Sequence, residues 1–153
     1  MKRAIGPFTA IGIFGVLAAA CGDDRPSSEE FRAKVTEICQ ATGARHEEAS
    51  SGFDFESFDP ATSDLSEIVP LIEDNAAIGR EAATELNKLR GPKADEETVD
   101  VWIEVEKRVA DNAADMIEAA NSGDSDQFLA FVAVEDELMV EHSGPEFAMF
   151  EGC

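Results

Sequence analysis

The sequence predicts an all-α protein, an antiparallel up-down four-helix bundle. Three observations lead there. Four stretches carry apolar residues at helical spacing, turn residues punctuate the gaps between them, and no alternating stretch is long enough to argue for a sheet. Short connections favour antiparallel neighbours, which gives the up-down order.

The first helix begins at Ser27, where Ser27-x-x-Glu30 has the pattern of a capping box, and Phe31, Val35, Ile38 and Thr42 follow on one face to about Glu48. Residues 49–62 contain Gly52 and Pro60 and read as a loop. The second helix spans about Ser63 to Arg90, with Leu65, Ile68, Ile72, Ile78, Ala82, Leu86 and Leu89 as its stripe. Pro70 implies a kink or a short preceding turn, and Gly91-Pro92 marks the stop. The third helix starts near Asp95, read as an N-cap, with Glu96 and Glu97 complementing the dipole. Trp102, Val105, Val109, Ala113, Met116 and Ala120 form its apolar face. Asn121 to Asp124 is a turn, and Asp124-x-x-Gln127 has the spacing of a second capping box. The fourth helix carries Phe128, Phe131, Val132, Leu138 and Met139 and stops before Ser143-Gly144-Pro145.

The N-terminus is a separate signal. Lys2 and Arg3 precede an apolar core from Ile11 to Leu17, and Ala18-Ala19-Ala20 lead into Cys21. A membrane-spanning helix needs about 20 apolar residues, more than the stretch from Ile5 to Ala20 supplies, and that stretch is interrupted by Pro7 and Thr9. An ordinary secretory signal is also compatible with Ala18-x-Ala20. The cysteine directly after that site favours another reading: the segment resembles a bacterial lipoprotein signal with its lipobox. The resemblance implies a signal peptide over residues 1–20 and lipidation of Cys21 by a diacylglyceryl group, often with a further N-acyl chain. A polar tether then covers residues 21–28, and an acidic helical domain residues 29–153. Two or more acyl chains anchor a protein stably where one does not. The expected location is therefore the cell membrane, with the domain outside the cytoplasm, in the periplasm or on the cell surface.

Lipidation has a consequence for the other cysteines. The chain has three, Cys21, Cys39 and Cys153, an odd number for an exported protein. With the Cys21 thiol consumed, Cys39 and Cys153 remain and are expected to pair in an oxidising compartment. In the up-down bundle the fourth helix ends beside Phe31, so the tail would climb about 12 Å along the first helix to Cys39. It would then carry Phe147, Met149 and Phe150 over the bundle as a lid. The mature chain as a whole resembles small helical bacterial lipoproteins with one cysteine in the first helix and one at the C-terminus, a resemblance that implies no activity.

Charge narrows the partners. Residues 21–153 hold all 33 acidic residues and 10 of the 12 basic ones, a formal net charge of −23. Nucleic acid is excluded on electrostatic grounds, because phosphate recognition needs clustered Lys and Arg. The surface also disfavours lying on anionic lipid, and leaves a basic or envelope protein as the expected kind of macromolecular partner. The acidity itself reads first as a solvated surface that resists association.

Enzyme signatures are missing: there is no G-x-S-x-G, P-loop, dinucleotide glycine pattern or H-E-x-x-H. Neither histidine follows a glutamate by three, since Gly43 and Met139 occupy those positions. His46 and His142 are expected at opposite ends of the bundle, each favoured there by a helix C-terminus. No catalytic residue, metal ligand or cofactor is assigned. Two features remain as candidate contacts. In the loop around Phe53, Asp54, Phe55 and Asp59, aromatic and acidic residues interleave, as a partner-binding loop or a crude calcium loop would require. The plainer alternative has Phe53, Phe55 and Phe58 folding back over the bundle end. Glu135 lies on the apolar face of the fourth helix with Phe128, Phe131, Leu138 and His142, where a carboxylate marks a pocket unless it sits at the solvent edge. The sequence thus points to a membrane-anchored, non-enzymatic binding or interaction module. The alternative is a small-ligand or metal-ion carrier using the bundle interior or the acidic Phe-rich loop.

Overall fold

Helix α1 (Ser28–Ser50) starts where the capping pattern places it: the Ser27 side chain accepts from the Glu30 backbone N–H, and the Glu30 carboxylate accepts from the Ser27 N–H. The computed structural model describes residues 25–151 and Cys153, so the expected signal segment, the expected lipidation at Cys21 and the first residues of the expected tether lie outside the described residues. Helices α2 (Val69–Leu86), α3 (Lys93–Ser122) and α4 (Ser125–His142) follow, and no strand occurs among the described residues.

Pro70 falls in the first turn of α2, where its missing N–H has no intrahelical partner to lose. The apolar stretch before it forms a separate 3₁₀ turn, Leu65–Glu67, capped by the Asp64 side chain accepting from the Ser66 N–H. Helix α2 stops at Leu86, four residues short of the expected Arg90. Helix α3 begins two residues before Asp95, with Pro92 as its N-cap. Asp95 is therefore not the cap. It is buried on the first turn and accepts from Arg32 Nε at 3.2 Å and from a terminal guanidinium nitrogen at 2.8 Å, tying the starts of α1 and α3 together. Gly123 closes α3 at φ 71°, a left-handed conformation in which a side chain is strained. Asp124 then caps α4 by accepting from the Gln127 N–H at 3.0 Å.

The helices pack in chain order, α1 on α2, α2 on α3 and α3 on α4, and the C-terminal segment packs on α1 and α3. The physical cause is unequal length. At 1.5 Å per residue, the 18 residues of α4 cover little more than half of the 30-residue α3. Its last residue, His142, reaches Glu106 and Trp102 near the middle of α3 rather than Phe31 at the start of α1. A 3₁₀ turn at Pro145–Phe150 fills the space α4 leaves, and the Cys39–Cys153 disulfide joins its end to α1. The expected disulfide is present, but the tail is not a lid. Phe147 and Phe150 are core residues, clustered with Phe31, Val35, Cys39, Leu86, Val99 and Trp102. A second cluster around Leu65, Met116, Ala119, Ala120 and Phe128 lies where the opening 3₁₀ turn meets α3 and α4. Gly91 lets the turn into α3 pass the first cluster, because a Cβ there would stand 2.4 Å from the Phe31 ring.

Candidate functional site

Between the two clusters the four helices do not close on one another. They leave a half-open cavity of about 490 Å³ lined from α1 by Gly43 and His46, from α2 by Asn75 and Gly79, from α3 by Glu106, and from α4 by Glu135 and His142, among others. Small residues keep it open: Gly43, Ala76, Gly79, Ala110 and Ala113 stand where bulkier side chains would meet. Ile72, Val109, Met116 and Met139 give it an apolar wall. Cys153 reaches its edge, so the disulfide-held tail forms part of the boundary. A larger hollow of about 640 Å³ runs outside α2 and α3, but solvent-facing charges such as Arg80, Asp100 and Lys107 line it, making it a surface groove rather than an interior site.

The polar groups of the cavity come in pairs. Asn112 Nδ2 donates to Glu135 Oε2 at 2.8 Å and to the Phe131 carbonyl at 3.1 Å. The Glu106 carboxylate approaches the His142 ring, with Oε1 2.6 Å from Nε2, and both side chains are nearly buried, at 12% and 10% exposure. The approach is close but poorly aimed, and Nε2 makes no hydrogen bond of acceptable geometry. Glu106 fits because Gly79 faces it; a Cβ at that position would come within 2.8 Å of Oε2. Across the cavity, His46 Nδ1 is hydrogen-bonded to Asn75 Oδ1 at 2.8 Å.

Burial pushes the Glu135 carboxyl above the ordinary carboxylate range. The hydrogen bond from Asn112 opposes this, the charges of Glu106 and Asp136 add to it, and His142 opposes it. Ionising Glu135 thus destabilises the fold: the penalty is fully present above the raised value, shrinks as pH falls below it and is gone only below the ordinary carboxylate value of the unfolded chain. Glu135→Gln removes the penalty and keeps an oxygen for Asn112. We expect this variant to melt about 2–5 °C higher at mildly alkaline pH, with the gain shrinking in acid. An unchanged or lower melting temperature at alkaline pH would contradict the assignment.

Of the residues singled out from the sequence, Glu135 lies at the cavity and is partly buried. The two histidines, expected at opposite ends, line the same cavity, since α4 is short enough for His142 to stop at mid-height. The Phe-rich loop is elsewhere. Phe53 contacts Phe55 and Phe58 edge-on, at 4.8 and 5.2 Å between ring centroids. Phe58 packs against the cluster around Leu65, whereas Phe55 remains 58% exposed, so the fold-back is partial. The loop carboxylates serve local turns: Asp54 accepts from the Ser57 N–H, and Asp59 accepts from the Ala61 N–H and the Thr62 hydroxyl. Among the described residues, no group of three or more His, Cys, Asp and Glu side chains is placed to hold a metal ion.

Sequence reasoning passed over Glu106, Asn112 and Asn75. Glu106 carried a signal, four residues after Trp102 on the helix face that continues through Val109 and Ala113. The asparagines carried none. Compared with protein-family models, with curated proteins and with solved structures, the chain matches none.

Proposed function

We propose that this chain is an exported, lipid-anchored binding domain that holds a small molecule in the cavity between its helices and catalyses no reaction on it. The Cys21 lipid tethers it to the membrane, and an up-down antiparallel bundle, suggested by the short connections from α2 to α3 and from α3 to α4, forms the container. No helix among the described residues is long and apolar enough to cross a membrane, so attachment by the lipid accounts for membrane association in this reading. The observation that carries the proposal is the cavity itself. A domain whose only task was to present a surface has no need of a recess this size between its helices, and larger side chains closing it would bury more apolar surface. Here small residues from three helices leave about 490 Å³ open, within the range of small-molecule sites, and polar side chains converge on it.

The test uses the full chain recovered from the membrane fraction, where the wild type is expected and from which Cys21→Ser is expected to be lost. In nanodiscs of zwitterionic lipid, with empty nanodiscs as the blank, phenylbutanol is titrated while the fluorescence of Trp102 is followed. Trp102 is the chain's single tryptophan and lies 4.9 Å from the His142 ring. Saturable binding that Ala113→Phe abolishes, while thermal unfolding stays cooperative, is the expected result. Ala76→Phe, on the opposite wall, serves if the first variant folds poorly. Binding indifferent to both fillings, or no saturable binding at all, would sink the proposal.

A further inference from the structure

The cavity is electrically one-sided. Its lining contains two carboxylates, Glu106 and Glu135, two imidazoles, His46 and His142, and the Asn75 amide, with no Lys or Arg among its described lining residues. Each imidazole sits beside an acceptor, His46 by Asn75 and His142 by Glu106. Glu106 faces the His142 imidazole. Among the described residues Glu135 has only the neutral Asn112 as a hydrogen-bond donor, while Glu106 and Asp136 add like charge around it. Buried carboxylates without a cation are costly and persist where something else supplies the charge. His142 Nε2, in a side chain nine-tenths buried and lining the same space, makes no hydrogen bond of its own.

An anionic ligand would meet two carboxylates and no fixed cation. A bare metal ion would leave most of the 490 Å³ and its Ile72, Val109 and Met116 wall unused. A small organic cation satisfies both halves. Resting on the reading of the cavity as a ligand site, we propose that the ligand is an organic amine: its ammonium lies between Glu106 and Glu135, and its apolar body lies against the wall formed by α2 and α3. The ammonium donates to the free oxygens of both carboxylates and relieves the repulsion between them. Binding therefore strengthens as pH rises through the titration of Glu135 and weakens where that carboxyl is protonated. The other ionisable groups facing Glu135 are Glu106 from α3 and Asp136 and His142 from α4, with His46 across the cavity on α1.

Three probes of one shape and different charge test the assignment on the full chain in zwitterionic nanodiscs: phenylbutylamine, phenylbutanol and phenylvalerate. The amine should bind about tenfold or more tighter than the alcohol at mildly alkaline pH, as one charge-assisted hydrogen bond warrants, and the carboxylate weakest. Glu135→Gln and Glu106→Gln should each close most of the gap between amine and alcohol while leaving alcohol binding in place. Equal binding of all three, still abolished by Ala113→Phe, would overturn the amine assignment and leave the ligand cavity standing. Tightest binding by phenylvalerate, or a gap unaffected by both carboxamide variants, would do the same. Binding of no probe, or binding indifferent to the filled cavity, would overturn both.

Discussion

Cys153→Ser should lower the unfolding midpoint of the domain by roughly 10–15 °C, corresponding to a loss of about 3–4 kcal/mol. The bridge joins residues 114 apart in sequence, so cutting it returns nearly the whole described chain to an unconstrained unfolded state. In the chain-entropy account a loop of that length contributes about 5 kcal/mol, and measured losses run somewhat lower. The folded state changes too, because the bridge holds the segment that delivers Phe147 and Phe150 to the cluster around Phe31 and Trp102. Cys39→Ala should behave alike, and the double variant should be little worse than either single one, since both remove the same bond. Backbone amides of residues 146–151 should lose protection from hydrogen exchange first, ahead of those in the cluster around Phe128. A midpoint within about 3 °C of wild type would mean that the bridge restrains little that packing does not already hold.

Trp102→Ala should cost about 3–5 kcal/mol. The indole is fully buried, stacked on Phe150 at 4.8 Å between centroids and 12° between planes, and tilted against His142 at 4.9 Å. It thus links the disulfide-held tail to the floor of the cavity. Trp102→Phe should cost much less, because the indole N–H is buried without a hydrogen-bond partner and its removal offsets part of the lost contact area. The two variants together separate packing from polarity. Equal losses would show that the unpartnered N–H carries no penalty; a small loss for alanine would mean that neighbouring side chains collapse into the space.

These two effects meet at one place, where sequence reasoning was least able to see. What is local was legible. The Ser27–Glu30 box, the Asp124 cap, the turn at Gly123 and the four apolar stripes depend on side chains within a turn or two of one another, and spacing alone records them. The Cys39–Cys153 pair was also within reach, because counting thiols requires no coordinates. Glu135 was visible as a carboxylate on an apolar face, though nothing in α4 itself showed that the face opposes a void rather than a neighbour.

The sequence by itself determined the four helices, the caps at Ser27 and Asp124 and, with Cys21 read as lipidated, which cysteines pair, since hydrogen-bonded turns and apolar periodicity are properties of short segments; the bounds of α2 and the start of α3 it placed several residues off. Only the tertiary structure decided that α4 ends halfway along α3 and that the tail becomes core below it. It also decided that Glu106, Glu135, His46 and His142 meet around one cavity. Those facts depend on the relative lengths and offsets of packed helices and on glycines and alanines that act by what they leave empty. Space between helices is a sum over partners distant in sequence, and no local pattern encodes it.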